Sequence, residues 1–198
     1  MKFKRIFAYL IDLLIVSVIS TLIFSLPIFK QDYKNYEVAT NEYLSEIRES
    51  GSGEVNEQKL LDLQYNTYKE SATLLIIKTG LLIIYFGVFG YFMHGQTIGK
   101  KIFNIKIVSN SNKSINPALF ILREILVTNF IPELLSLIFL LISSKNLWTQ
   151  ASLYISYASY ITTFLLVGFM IFRDDERGLH DLICDTKVIN VKNTQKEK

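Results

Sequence analysis

The sequence predicts an all-α membrane protein: a bundle of four transmembrane helices with a helical loop on the extracytoplasmic side and a small β-hairpin on the cytoplasmic side. Three observations predict it. Half of the 198 residues are apolar and the mean hydropathy is +0.29, values of the membrane class rather than of a soluble domain. Four long apolar runs succeed one another, at about 6–29, 72–93, 118–142 and 151–172. The charges between them segregate by sign, as they do around membrane spans. The whole of 1–198 reads as a single membrane domain.

The first run, Ile6 to Phe29, has about 24 residues and so reaches roughly 36 Å as a helix, enough for a hydrocarbon core of about 30 Å. It reads as a span, not a secretory signal. A signal's apolar core is shorter, carries no acid such as Asp12, and ends in small residues, whereas this run leaves through SLPIFKQDY. Arg5, Ala8 and Asp12 recur at i, i+3 and i+7, on one helical face. That face must look away from lipid.

Lys30 to Ser71 holds nine acids against five bases, with Gly51, Ser52 and Gly53 in its middle. The pattern predicts two helices around a turn, one with a stripe of Tyr33, Tyr36, Tyr43, Leu44 and Ile47, the other with Leu60, Leu61, Leu63, Tyr65 and Tyr68. Amphipathic stripes usually pack on their own protein, so the pair is expected to cap the outer mouth of the bundle. The second run is broken only by Lys78 and carries Gly80, Gly87 and His94 on one face, where a neighbouring helix can come close.

His94 to Pro117 has four lysines and no acids, which places it in the cytoplasm by the positive-inside rule, together with the Lys2, Lys4 and Arg5 end. The acidic loop is then outside. Ile102 to Val108 has strand composition, and Ser109 to Ser114 reads as a turn. Gly95 to Lys101 spells GxxxGKK, one residue short of a phosphate loop and without its Ser or Thr, so ATP binding is not expected.

The third run includes Arg123, Glu124, Asn129, Pro132, Glu133 and Ser136. Asn129, Glu133 and Ser136 form a polar stripe, and Pro132 frees the carbonyl of Thr128, predicting a kink there. Ser143 to Gln150, with Trp148, reads as a short outer hairpin. The fourth run has a small-residue stripe of Ser152, Ser156, Ser159 and Thr163, with Tyr154 and Tyr157 as interface aromatics. The tail, with a strand-like Thr186 to Val191, returns to the cytoplasm.

Depth along the helices suggests which buried charges meet. Asp12 and Arg123 fall roughly 7 Å and 11 Å to the cytoplasmic side, while Lys78 and Glu133 fall roughly 7 Å and 4 Å to the outer side. An unpaired charge at a helix centre costs about 2.5–3.5 kcal/mol on insertion scales. The expected contacts are therefore Asp12 with Arg123 and Lys78 with Glu133. Such pairs either fasten helices or serve proton or cation movement, and for Asp12 both readings stay open.

Other classes are excluded by what is missing from the sequence. Cys184 is the one cysteine, so no intramolecular disulfide forms, and with only His94 and His180 as histidines no metal site is expected. No nucleophile motif, paired acid and base or cofactor loop is present, so no catalytic residue, enzyme activity or cofactor is expected. No soluble basic face exists to hold nucleic acid.

Three separated motifs, RIFAYLIDLLI, GQTIGKKIFNIKIV and RGLHDLICDTKVI, together resemble the RDD family of small bacterial membrane proteins. The resemblance implies that Arg5 and Asp12 are the family's opening arginine and in-helix aspartate, that Gly95, Thr97, Gly99 and Lys100 form its middle motif, and that Arg123 and the His180–Asp181 pair belong to the pattern. It further implies a bacterial inner-membrane location and a transport role, cation and proton exchange being proposed for some members. The chain departs from the family at Cys184 and Asp185, where a small residue and glycine are usual; Asp tolerates a positive-φ turn better than most residues.

Beside the resemblance, the two strand-like segments are expected to pair beneath the bundle, with His180 and Asp181 as an orienting hydrogen-bond pair. Lys100 and Lys101 suit anionic lipid headgroups at about 1 kcal/mol each. The expectation is a transporter, or a subunit of a transport complex, for a small ion or solute, with Asp12 and Arg123 at its polar centre. Four helices enclose little space, which favours a homo-oligomer or a partner membrane subunit. The alternative is an adaptor that recruits a partner protein through its outer loop or tail.

Overall fold

The computed structural model describes residues 1–50, 56–111, 114–128 and 130–191. Three helices are long and apolar enough to cross a membrane, Lys2–Phe24, Ala72–Phe92 and Lys145–Phe172. Pro117–Val127 and Phe130–Ile142, bent by 72° to each other, are long and apolar enough together to make a fourth crossing if they act as one broken span. The break falls where proline chemistry requires it. Pro132 has no N–H for the Thr128 carbonyl, the first half ends at Val127, and Pro132 sits in the opening turn of the second half, where a missing donor is harmless. Asn129 of the expected polar stripe lies outside the described residues.

Pro27 closes the first span through a short 3₁₀ turn, Pro27–Phe29, and the chain runs on as Lys30–Ser50. With Glu57–Glu70 this forms the expected helical hairpin, whose Gly51 to Gly53 turn lies outside the described residues. The hairpin is a cap. The Thr67 hydroxyl donates to the Ala39 carbonyl at 3.1 Å, tying its two helices together. Tyr65 meets Trp148 edge-on and Tyr68 meets it at a tilt, at ring-centroid distances of 5.3 and 5.1 Å, tying the hairpin to the fourth span. Trp148 therefore corrects the sequence reading: it is fully buried in the first turns of the fourth span, which begins at Lys145 instead of Ala151, leaving Ser143 and Ser144 as the connection.

The second span carries a π-helical segment, Ile83–Phe89. Such a segment inserts an extra residue into the helical ladder and rotates the next turns of the helix. Here Tyr85, Phe86 and Gly87 are all buried, Tyr85 and Phe86 in one cluster with Leu82 and with Val16 of the first span. The glycine face holds in part. Gly87 lies 3.6 Å from Ile121 by the position a Cβ would take, but Gly80 meets nothing within 4 Å. His94 lies beyond the helix in an exposed turn at φ 56°.

At one end of the bundle, here called the sheet end, β1 (Ile105–Ser109) pairs antiparallel with β2 (Thr186–Asn190). Ile105, Ile107 and Val188 join Ala8 and Phe120 in a buried cluster beneath the spans. Each strand belongs to a larger unit that the chain builds twice. After the second span comes a turn with Gly95 at φ 83°, the helix Ile98–Ile102, Asn104 at φ 56° and β1; after the fourth comes Glu176 at φ 54°, the helix Leu179–Ile183, Asp185 at φ 47° and β2. Corresponding residues keep one sequence offset throughout.

The middle of the strand register is Ile107 opposite Val188, and these two residues also correspond between the units. The local two-fold axis of the ribbon thus exchanges one unit with the other. Two hydrogen bonds obey it: Asn110 N–H donates to the Asp185 carbonyl at 2.9 Å and Val191 N–H to the Asn104 carbonyl at 2.8 Å. Gly95 is required where it stands, since its φ is 83° and a Cβ would strike the Ile107 carbonyl. Asp185, expected to bear a positive-φ turn, does so.

Candidate functional site

Two polar regions lie inside the bundle, one against the sheet and one in the other half of the spans. The first is built on Asp181. Burial raises the pKa of this carboxyl, but Arg123 and Arg5 outweigh burial and hold it well below the usual carboxylate range. Arg123 Nε donates to Asp181 Oδ1 at 2.8 Å and Arg5 Nη2 donates to Oδ2. Thr186 Oγ1 and Gly178 N–H donate at 3.1 and 3.2 Å. Arg123 Nη1 also donates to Glu124 at 2.5 Å, and Glu124 receives Lys100 Nζ at 3.3 Å.

Asp12 occupies a separate compartment. The first span buries Ala8, Asp12, Val16 and Ser20, a stripe of period four that places the carboxylate on the face turned from lipid. Tyr85, delivered by the π segment, donates its hydroxyl to Asp12 at 2.6 Å; Gly99 N–H donates at 2.7 Å and the Thr97 hydroxyl also donates. Two of these donors sit at the start of the short helix Ile98–Ile102, so the acid of the first span caps a helix in the sheet-end unit. Gly99 makes the approach possible: a Cβ there would run into the Ala8 carbonyl and lie 2.9 Å from the Asp12 carboxylate.

The expected Asp12–Arg123 pair is therefore overturned. Arg123 faces Asp181 and Glu124, while Asp12 is satisfied by neutral donors. Depth matching erred because it considered only charges within the spans and left out Asp181, which enters from the tail. Lys100 is a second correction. It is not free for lipid headgroups, being 11% exposed at the side chain, paired with Glu124 and set 5.9 Å over the Phe86 ring; burial lowers its pKa, against the pull of Glu124. Lys101 remains exposed.

His180 lies beside Asp181 and Arg5. Its Nε2 stands 3.4 Å from Arg5 Nη2. The same Nε2 stands 3.5 Å from Asp181 Oδ2, and Nδ1 is buried without a partner among the described residues. Burial pushes the pKa down to about 3 and Arg123 adds to this, so the ring is neutral. His180 and Asp181 are thus in contact and share Arg5.

The second polar region is a cavity of about 920 Å³ at the end away from the sheet, walled by the second span, by Phe130–Ile142 and by the fourth span, and roofed by the hairpin through Leu61, Gln64 and Tyr68. Lys78, Thr79 and Glu133 line it, with Ser152 and Ser156 opposite. The serine stripe expected to pack helices faces this space. Lys78 and Glu133 also line a smaller cavity of about 330 Å³ beside Tyr9, Ser17 and Thr128, so the two spaces adjoin at this pair of charges. The expected Lys78–Glu133 ion pair does not form: Glu133 accepts the Thr79 hydroxyl at 3.1 Å, and among the described residues no ion pair includes Lys78. Among the described residues no group of three metal-ligating side chains occurs.

Sequence reasoning missed the pairing of Glu124 with Lys100, the donors Thr97 and Tyr85 on Asp12, and the repeat. Signals were present. TIGKKIFNIKIV and GLHDLICDTKVI share a small or polar opener, an Asn or Asp just before the strand, and a lysine second in it.

No curated protein matches the chain significantly, and no solved structure does. The model of the RDD family matches residues 2–185, a stretch that takes in Arg5, Asp12, both sheet-end helices and every span. The chain belongs to the RDD family of membrane proteins.

Proposed function

We propose that this chain is a transporter, or the membrane subunit of a transport complex, for a small ion or solute in the bacterial inner membrane, with both termini and the sheet end in the cytoplasm. The observation that carries the reading is the cavity of about 920 Å³ with Lys78 and Glu133 on its wall. Ionisable groups at membrane depth are costly and, when they line a cavity, usually serve passage. The distribution of Lys2, Lys4, Arg5 and the loop lysines against the acidic hairpin supports the orientation.

The saturated sheet-end cluster then acts as the closed side of the path, and the Lys78–Glu133 junction as its loaded side. Asp12 and Arg123 move from centre to scaffold in this reading. The adaptor alternative is less favoured, because the hairpin is committed to roofing the cavity through Tyr68 and to Trp148 through ring contacts.

Reconstitution into proteoliposomes tests the proposal, with flux followed across a panel of ion and pH gradients. Wild type is expected to dissipate at least one gradient, and Glu133→Gln to reduce that flux at least tenfold while inserting normally. Silence across the panel counts against transport. Flux that survives Glu133→Gln moves the path elsewhere.

A further inference from the structure

We infer that the outer cavity is a binding site for a zwitterion: a ligand whose anionic group meets Lys78 and whose ammonium group meets Glu133. The inference deepens the transport reading and rests on it only in using the same cavity. Lys78 stands in the hydrophobic layer of the second span, lines both cavities, and has no ion pair or hydrogen bond among the described residues. Glu133 has one oxygen on the Thr79 hydroxyl at 3.1 Å and lines the same two spaces.

Lys78 is exposed toward this space and Glu133 half-buried, whereas the buried and half-buried charges of the sheet end, among the described residues, are matched at short range. Arg5, Lys100 and Arg123 meet Asp181 and Glu124, and Asp12 takes three donors. Opposite charges held beside one cavity without closing on each other mark the exception. A simple cation placed there would neutralise Glu133 and leave Lys78 repelled; a simple anion would do the reverse. One molecule bearing both charges answers both residues at once. The surrounding wall suits it: hydroxyls of Ser152 and Ser156 for polar atoms, and Leu75, Ile76 and Leu134 for an apolar remainder.

Two sources carry this chemistry, a free amino acid or the ethanolamine headgroup of a phospholipid. The test uses the purified full chain in detergent and reads thermal unfolding and equilibrium binding. Its probes are leucine, serine and dihexanoyl-phosphatidylethanolamine, and its one-charge controls are acetate, methylamine and dihexanoyl-phosphatidylglycerol. At least one zwitterion is expected to bind saturably and raise the midpoint by several degrees, with each control at least tenfold weaker. Response to the amino acids assigns a free solute; response to the phospholipid assigns a headgroup; either supports the proposal.

Lys78→Met and Glu133→Gln are each expected to weaken zwitterion binding tenfold or more, and the exchange Lys78→Glu with Glu133→Lys to recover it in part. Equal binding of a one-charge control, or no response to any zwitterion, overturns the inference. The wild-type comparison needs no variant, so a variant that fails to fold does not spoil the test. Binding without flux sinks the transport reading and leaves this one standing, whereas flux without zwitterion binding does the opposite.

Discussion

At the scale of single residues, the carboxylates of the bundle differ by what they accept. Asp12 takes only neutral donors, from Tyr85, Thr97 and Gly99, with no counter-ion in contact among the described residues. Asp12→Asn turns one acceptor oxygen into an NH₂ facing donors, leaving at least one buried donor unmatched. The expected cost is about 1.5–3 kcal/mol, read as a lower unfolding midpoint in detergent, with correct insertion retained. An unchanged midpoint together with lost flux would return Asp12 to the transport path. Stabilised or unaltered behaviour in both assays would show that its hydrogen bonds are energetically idle.

His180 gives the same scale a pH dependence. Its folded pKa is lowered from 6.5 to about 3, first by burial and then by Arg123. The unfolded chain therefore takes up the proton first on acidification. The stability linked to this ring is complete above the unfolded value and is lost as pH falls from about 6.5 toward about 3. By pH 5 the loss is about 2 kcal/mol. His180→Gln is expected to flatten that part of the curve between pH 7 and pH 5, and an unaltered slope in the variant would assign the acid sensitivity to other groups.

At the scale of elements, the spans and the strands were legible because each rests on local composition: an apolar run of bilayer length, a proline at a kink, a β-branched segment beside a turn. The charge partners were not. Asp181 lies in the short helix Leu179–Ile183 and Thr97 at the N-cap of Ile98–Ile102, and no periodicity within a span reveals what docks from outside it. The π segment was likewise hidden, since no residue type announces it. The glycines show the difference in a testable form. Gly99→Ala puts a Cβ into the Ala8 carbonyl, whereas Gly80 borders open space. Gly99→Ala is expected to cost about 1–3 kcal/mol or more and to loosen the sheet end. Gly80→Ala is expected to leave the midpoint unchanged or slightly raised, as a helix-interior glycine replaced by alanine gains about 0.5–1 kcal/mol. Differential scanning of both variants in one detergent decides it.

At the scale of the whole molecule, the repeated unit explains why the sheet end is so heavily cross-braced. Lys100 and Asp181 hold the same third position in the two short helices, and each reaches a span of the opposite half, Lys100 to Glu124 and Asp181 to Arg5, with Asp181 also holding Arg123 of its own half. The charges are reversed between the two bridges, so each half is a poor partner for a copy of itself: a second C-terminal half would set Asp181 against Glu124, and a second N-terminal half would set Lys100 against Arg5. The arrangement therefore favours pairing of unlike halves within one chain. If that pairing is carried by the ribbon and the two bridges, the covalent link between the halves is dispensable. Residues 1–111 and 114–198, produced as separate chains in the same cell, are expected to insert and to copurify in equal amounts through one affinity tag. Ile189→Pro removes a ladder N–H next to the centre of the register, opposite Lys106, and is expected to abolish copurification without preventing insertion. Reversing one bridge by Lys100→Glu should weaken it, and adding Glu124→Lys to that variant should restore it. Halves that insert separately and never associate would show that the ribbon and bridges result from chain connectivity and do not by themselves drive assembly.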